Sequence, residues 1–179
     1  PAVEANKTYN ENTTLQDAYL NKIVIPAGFK VTNDTINVAD GIVIEDVTSG
    51  ATAGSQFVWI PVGKITKTDG TTVDINLNRY TFDEYGKETA KNEDVIDLYY
   101  SETASKGNTV AKNISNFKSS VTSNGGYYIG RYEARQNEIS GKLTEVKTDT
   151  VWNNITQPDS ATQARNMYNS TKFTSDLMN

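Results

Sequence analysis

The chain has 179 residues, enough for one domain with its own core, but only 36% of them are apolar, so long polar loops should surround a limited core. Its 17 basic residues are scattered against 22 acidic ones, a net charge of -5 that excludes the clustered cations nucleic-acid phosphates require. It holds no cysteine and no histidine, which excludes thiolate nucleophiles, disulfides, imidazole bases and zinc-, copper- or iron-type ligand sets; carboxylates, lysine, tyrosine, hydroxyls and calcium-type oxygen ligation remain. No apolar run approaches the roughly 20 residues of a membrane-spanning helix. Starting at Pro1, without a signal peptide, the chain reads as a processed or excised piece. Its richness in Thr and Asn points to an extracellular or Gram-positive cell-surface location.

Residues 1–21 are polar with weak periodicity and read as a linker or leader ahead of a domain over 22–179. The apolar run "KIVIPAGF" (22–29) predicts a strand ended by Pro26 and Gly28. "INVADGIVIED" (36–46) predicts two short strands around an Asp40-Gly41 turn, and the consecutive Ile42, Val43 and Ile44 predict burial on both faces. "SQFVWIPV" (55–62) predicts a further strand that ends at Pro61 or lies at an edge, because proline cannot donate to a ladder. A hairpin is expected at Asp69-Gly70, its second strand alternating Val73, Ile75 and Leu77 with Asp74, Asn76 and Asn78.

Residues 86–108 read as a polar excursion with at most a short helix around "EDVIDLYY". Val110, Ile114, Phe117 and Val121 recur at helical spacing until Gly125-Gly126. "YYIGRYEA" (127–134) is strand-like. A helix is expected from an Asp159 or Ser160 cap to about Tyr168, with a further turn or helix starting near Thr174.

Two of these segments together are specific. "GSQFVWIPVG" followed about sixty residues later by "NGGYYIGRYEA" resembles the formylglycine-generating-enzyme-like (sulfatase-modifying factor) family. "INLNRYTFDEYG" between them and "VWNNITQPDSATQARNMY" after them resemble a subgroup of Firmicutes surface proteins. The resemblance implies an α+β fold of the C-type-lectin-like kind, with small twisted antiparallel sheets, one to three short helices and long loops. Trp59 and Ile129 would then lie packed inside. The family's oxidases work through copper-bound cysteines, and this chain has none, so no catalytic residue carries over and no cofactor is expected. It stops at "TSDLMN" where relatives continue, so the resemblance implies the N-terminal half of such a domain. Apolar surface left uncovered by that truncation would favour association.

The candidate sites each have a plain structural alternative. Arg131 and Glu133 alternate with Tyr132 and read as a structural ion pair tying a strand to a neighbouring loop, ahead of a catalytic Glu133. Glu93, Asp94 and Asp97 read as a solvated acidic face rather than a calcium site, since no ligand spacing supports one, and "DGTTVDIN" (69–76) reads as a hairpin. Tyr99-Tyr100 and Tyr127-Tyr128 predict one inward and one outward ring each, the outward ring being able to stack on a sugar. Asn-x-Ser/Thr sequons at Asn6, Asn12, Asn33, Asn113, Asn154 and Asn169 carry no glycosylation inference in so Asn- and Thr-rich a chain, and no lysine–asparagine pairing for an isopeptide bond is visible. The leading expectation is a non-catalytic surface module that binds carbohydrate or another cell-surface ligand. The alternatives are an oxidase half completed by a missing part, and a structural segment of an adhesin or pilus.

Overall fold

The computed structural model describes residues 1–91, 114–147 and 150–177. Its strands are β1 (Thr8–Tyr9), β2 (Thr13–Gln16), β3 (Lys22–Ile25), β4 (Phe29–Val31), β5 (Val43–Asp46), β6 (Gln56–Pro61), β7 (Gly63–Thr66) and β8 (Thr72–Ile75). After them come β9 (Arg79–Phe82), β10 (Glu88–Lys91), helix α1 (Ile114–Asn124), β11 (Gly126–Gly130), β12 (Arg135–Gln136), β13 (Leu143–Thr144) and helix α2 (Gln157–Met167). Among the described residues one antiparallel five-stranded sheet, ordered β1-β4-β5-β6-β11, organises the rest, accompanied by four two-stranded hairpins. The class is α+β with small antiparallel sheets.

Strand alternation sorts the sheet into two faces. Direct pairing of Tyr9 with Phe29, Val31 with Ile44, Ile44 with Phe57 and Trp59 with Tyr128 puts these side chains on one inner face. The β2–β3 hairpin lays Leu15, Ile23 and Ile25 across it, each at most 1% exposed. Burying each of these aliphatic side chains contributes on the order of 1.5–3 kcal/mol. The Tyr128 ring lies 4.9 Å from Trp59, and its hydroxyl donates to the Val24 carbonyl across the core. At the far end Phe29, Phe57, Tyr168 and Phe173 form a ring cluster with centroids 5.3–6.1 Å apart, tying the segment after α2 to the first half of the chain.

The apolar run over 55–62 is therefore the middle of the sheet. Trp59 is 2% exposed, as expected of a core anchor. Pro61 closes β6 opposite Gly126. By alternation its missing N–H falls on the β5 side, the side where Trp59 N–H has already donated to Ile42, beyond the start of β5. Ile42, Val43 and Ile44 are all buried, as their consecutive β-branched run predicts. Ile129 differs: it pairs with Val58 on the outer face and is half-buried.

Other departures have local causes. Residues 1–21, read as a linker, carry β1 and β2 and bury Val3, Tyr9 and Leu15. Their apolar residues are single and widely spaced because each short strand buries one side chain among threonines. Asp40-Gly41 turns no hairpin; Val38–Asp40 is a 3-10 turn that ends at Gly41 with φ 84°, and Asp17 Oδ2 accepts from Val38 N–H. The hairpin at Asp69-Gly70 forms as expected, Asp69 Oδ1 accepting from Thr71, but Val73 is exposed and only the Ile75 end of β8 turns inward. A β9–β10 hairpin turns at Asp83, whose carboxylate accepts from Tyr85 and Lys87 N–H, within a stretch partly read as excursion. The proposed helix around "EDVIDLYY" lies outside the described residues.

Helix α1 ends at Gly125, in the left-handed region at φ 79°, as anticipated. Helix α2 begins earlier than expected. Its cap is Thr156, whose Oγ1 accepts from Asp159 N–H while its hydroxyl donates to the Asp159 carboxylate, with Pro158 in the first turn. Replacing Thr156 with alanine is expected to cost about 1 kcal/mol in chemical denaturation, the usual worth of such a cap. Thr174 starts no helix among the described residues; it bridges back to Asn169.

Candidate functional site

The outer face of the central sheet is divided. Register places Lys30 of β4 opposite Glu45 of β5, and Glu45 opposite Gln56 of β6. Arg131, one residue past β11, donates its N–H to the Gln56 carbonyl and continues the same row. Three neighbouring strands and the residue that follows a fourth thus each contribute one long polar side chain to a line running across the sheet. The next row on this face, Val43, Val58 and Ile129, is apolar.

The polar row is hydrogen-bonded from end to end. Lys30 Nζ lies 3.1 Å from Glu45, Gln56 Nε2 donates to Glu45 at 2.7 Å, and Arg131 Nη1 donates to Gln56 Oε1 at 2.8 Å. The same guanidinium nitrogen donates to Asp34 Oδ2 at 2.8 Å, and Thr32 Oγ1 donates to that oxygen as well. These bonds, Thr32 first and then Arg131, hold the Asp34 carboxyl below its ordinary range. The Arg131 cation also sits 5.5 Å from the centre of the Tyr132 ring. Together with Asn6 and Asn33 these groups line a shallow depression of about 380 Å³.

Such an arrangement suits recognition better than reaction. Two cations face two carboxylates, so the charges balance and no ion is drawn in. Asp34 is kept ionised, which makes it a poor proton donor at neutral pH. The remaining polar groups are planar amide, carboxylate and guanidinium edges, the donors and acceptors that grip hydroxyls. An apolar groove of about 430 Å³ opens elsewhere, between the 3-10 turn, the end of β6 and the β7–β8 hairpin; its walls include Val38, Pro61, Ile65 and Ile75.

The sequence-selected residues fall as follows. Arg131 does tie a strand end to a neighbouring loop, but its ion-pair partner is Asp34, 97 positions away, and Glu133 is exposed. Residues 69–76 are the expected hairpin. Of Tyr127-Tyr128, Tyr128 packs on the core and Tyr127 turns outward, edge-on to Phe117 at 5.2 Å. Glu93, Asp94, Asp97, Tyr99, Tyr100 and Asn113 lie outside the described residues. Among the described residues no group of three or more carboxylates is placed to hold a metal ion, and no helix is long and apolar enough to cross a membrane. Lys30, Glu45, Gln56 and Asp34 were not singled out from sequence. Lys30, Glu45 and Gln56 are ordinary strand residues until the register aligns them, and Asp34 comes from the loop after β4; the one signal in the sequence is the outward phase of Glu45 and Gln56 beside buried neighbours. No protein-family model matches the chain, and neither a curated protein nor a solved structure matches it significantly.

Proposed function

We propose that this chain is a non-catalytic, extracellular ligand-binding module built on a lectin-like scaffold of the formylglycine-generating-enzyme-like kind. The outer-face polar row is its ligand-contacting surface, and an uncharged, hydroxyl-rich ligand such as a cell-surface carbohydrate is its partner. The observation that carries the reading is the charge-balanced row from Lys30 to Asp34, in which every long side chain is already oriented by its neighbour. Oriented polar groups lose little rotamer freedom on binding, so a shallow surface of this kind gains affinity from preorganisation. The absence of thiol and imidazole from the chain and the ionised state of Asp34 favour binding over turnover.

The test is titration of the purified protein against neutral glycan and cell-wall arrays. Binding to neutral glycans is expected, and Arg131→Ala, which removes the hinge of the row, is expected to weaken it by about tenfold, the worth of one or two charge-assisted hydrogen bonds. Its folding stability should fall by no more than about 1 kcal/mol, because both side chains of the ion pair remain partly exposed to solvent. A blank across both arrays, or an Arg131→Ala variant that binds like the parent, would sink the assignment.

A further inference from the structure

Glu145 directly follows β13 and is fastened to β6 through its backbone. Its N–H donates to Ser55 Oγ at 3.1 Å, and its carbonyl accepts from Gln56 N–H at 2.9 Å. The Gln56 carbonyl in turn accepts from Arg131 N–H at 3.0 Å. One short relay thus joins residue 145 to Gln56 and Arg131, at one end of the polar row.

The side chain of Glu145 is held differently. It packs against the α-carbon of Gly130, where a Cβ would sit 2.5 Å from Oε2 and 2.7 Å from the carboxyl carbon. The missing side chain at position 130 is the seat for this carboxyl. Oε2 is buried, and no donor among the described residues reaches it. An ionised carboxylate in that position is costly, whereas a neutral carboxyl is much less so. Burial accordingly raises this group to about 7.

The charged and titratable groups on the elements packed around it are occupied elsewhere. Arg131 beside Gly130 reaches Asp34 and Gln56. Arg135, opposite Thr144 in β12, reaches Glu138. Asp46, whose N–H donates to the Ser55 carbonyl, accepts the hydroxyls of Thr52 and Tyr168. Lys147, two residues on, is exposed.

We propose that Glu145 is a pH-sensitive latch: its neutral carboxyl seats on Gly130 and fastens residues 143–146 to the β6–β11 edge, and its ionised form leaves that seat and frees the Gln56–Arg131 end of the row. The latch does not depend on what the outer face binds. Its sign follows from linkage. In the released segment the carboxyl ionises near its ordinary value, while in the seated segment it keeps its proton to about 7. Closure is therefore unopposed at low pH, is weakened progressively across that window, and is weakest above it.

Amide hydrogen exchange, corrected for intrinsic rates, reads the latch at Gln56 and Arg131, with Leu15 and Ile23 of the β2–β3 hairpin as internal references. Relative to those references, Gln56 and Arg131 are expected to open roughly tenfold or more often at about pH 8.5 than at about pH 5.5, and Glu145→Gln to abolish the difference. The carboxyl carbon of Glu145 in the unsubstituted protein should titrate in NMR with a midpoint near 7. A midpoint in the ordinary carboxylate range, or exchange at Gln56 and Arg131 that tracks the references at both pH values, overturns the proposal. Should Glu145→Gln fail to fold, the carbon titration and the exchange of the unsubstituted chain decide the matter by themselves.

Discussion

Gly126→Ala is expected to be the most damaging single-methyl change in the described structure, lowering stability by about 3–4 kcal/mol, in the upper range for steric insertions into a packed core. Residue 126 opens β11 directly opposite Pro61. A Cβ there would lie 2.5 Å from the Ile60 carbonyl oxygen and 2.5 and 2.8 Å from two carbons of the Trp59 indole. Neither neighbour is a flexible tip. The carbonyl is backbone of the central strand, and the indole is 2% exposed and packed, tilted by 57°, against the Tyr128 ring. To admit the methyl group, β11 must separate from β6 or Trp59 must leave its rotamer. Thermal unfolding should record a fall in Tm of about 10 °C, taking about 2–4 °C per kcal/mol for a chain of this size. Gly63→Ala, whose Cβ meets no atom within 4 Å, is the control; its own φ, 109°, lies in the region that favours glycine, so it should show backbone strain without the clash. A Gly126→Ala protein no less stable than Gly63→Ala would refute the close approach of the indole to β11.

Asp46→Ala should cost about 3 kcal/mol or more. Asp46 is 2% exposed at the end of β5, and its carboxylate organises two distant pieces of chain. Oδ1 accepts from the N–H and the hydroxyl of Thr48 at 2.8 and 2.7 Å; Oδ2 accepts from Thr52 Oγ1 and from Tyr168 OH at 2.8 Å. Burial is the main reason the Tyr168 hydroxyl is held far above its ordinary ionisation range, so it stays a donor throughout the accessible pH range. Removing the acceptor strands three hydroxyls and one N–H, and each that remains buried and unpaired adds a desolvation penalty of about 1–3 kcal/mol. Tyr168→Phe deletes one of those bonds and keeps the ring cluster, so it should cost only about 1 kcal/mol. Urea unfolding of the two variants separates the predictions. Equal losses would mean that the network is worth no more than its single tyrosine bond.

What could be read from the residues alone follows physical lines. The strand over 56–61 declared itself through a dense apolar run, and the helix ending at Gly125 through its stop signal, because both write their structure into adjacent positions. The first two strands did not. A two-residue strand such as Thr8–Tyr9 buries a single ring, and one buried ring among threonines has no period to detect. Asp40-Gly41 misled because the same dipeptide serves a hairpin turn and the left-handed exit of a 3-10 turn; only Asp17, far upstream, selects the second by accepting from Val38 N–H. The α2 start is ambiguous in the sequence because Asp159 suits both a cap and the third residue of a capped turn, and Thr156 three positions earlier takes the cap. For the candidate site, Arg131 was legible from its strand phase. Its neighbours were not, since Lys30, Glu45 and Gln56 align only through cross-strand register, and Asp34 arrives from a loop.

The pairing of β6 with β11 has a bearing on how the protein is made. Pro61 and Gly126 meet across the sheet although a long stretch of sequence separates them, whereas β1, β4, β5 and β6 are all drawn from the first 61 residues. The entropy of closing that long interval grows only as the logarithm of its length, so the final pairing is affordable but slow. On a ribosome, four of the five strands emerge well before their last neighbour is translated. During that interval the nascent sheet presents a bare β6 edge and an indole without its tyrosine. Until β11 arrives, that unpaired edge is the part of the nascent chain most exposed to wrong pairing with another strand.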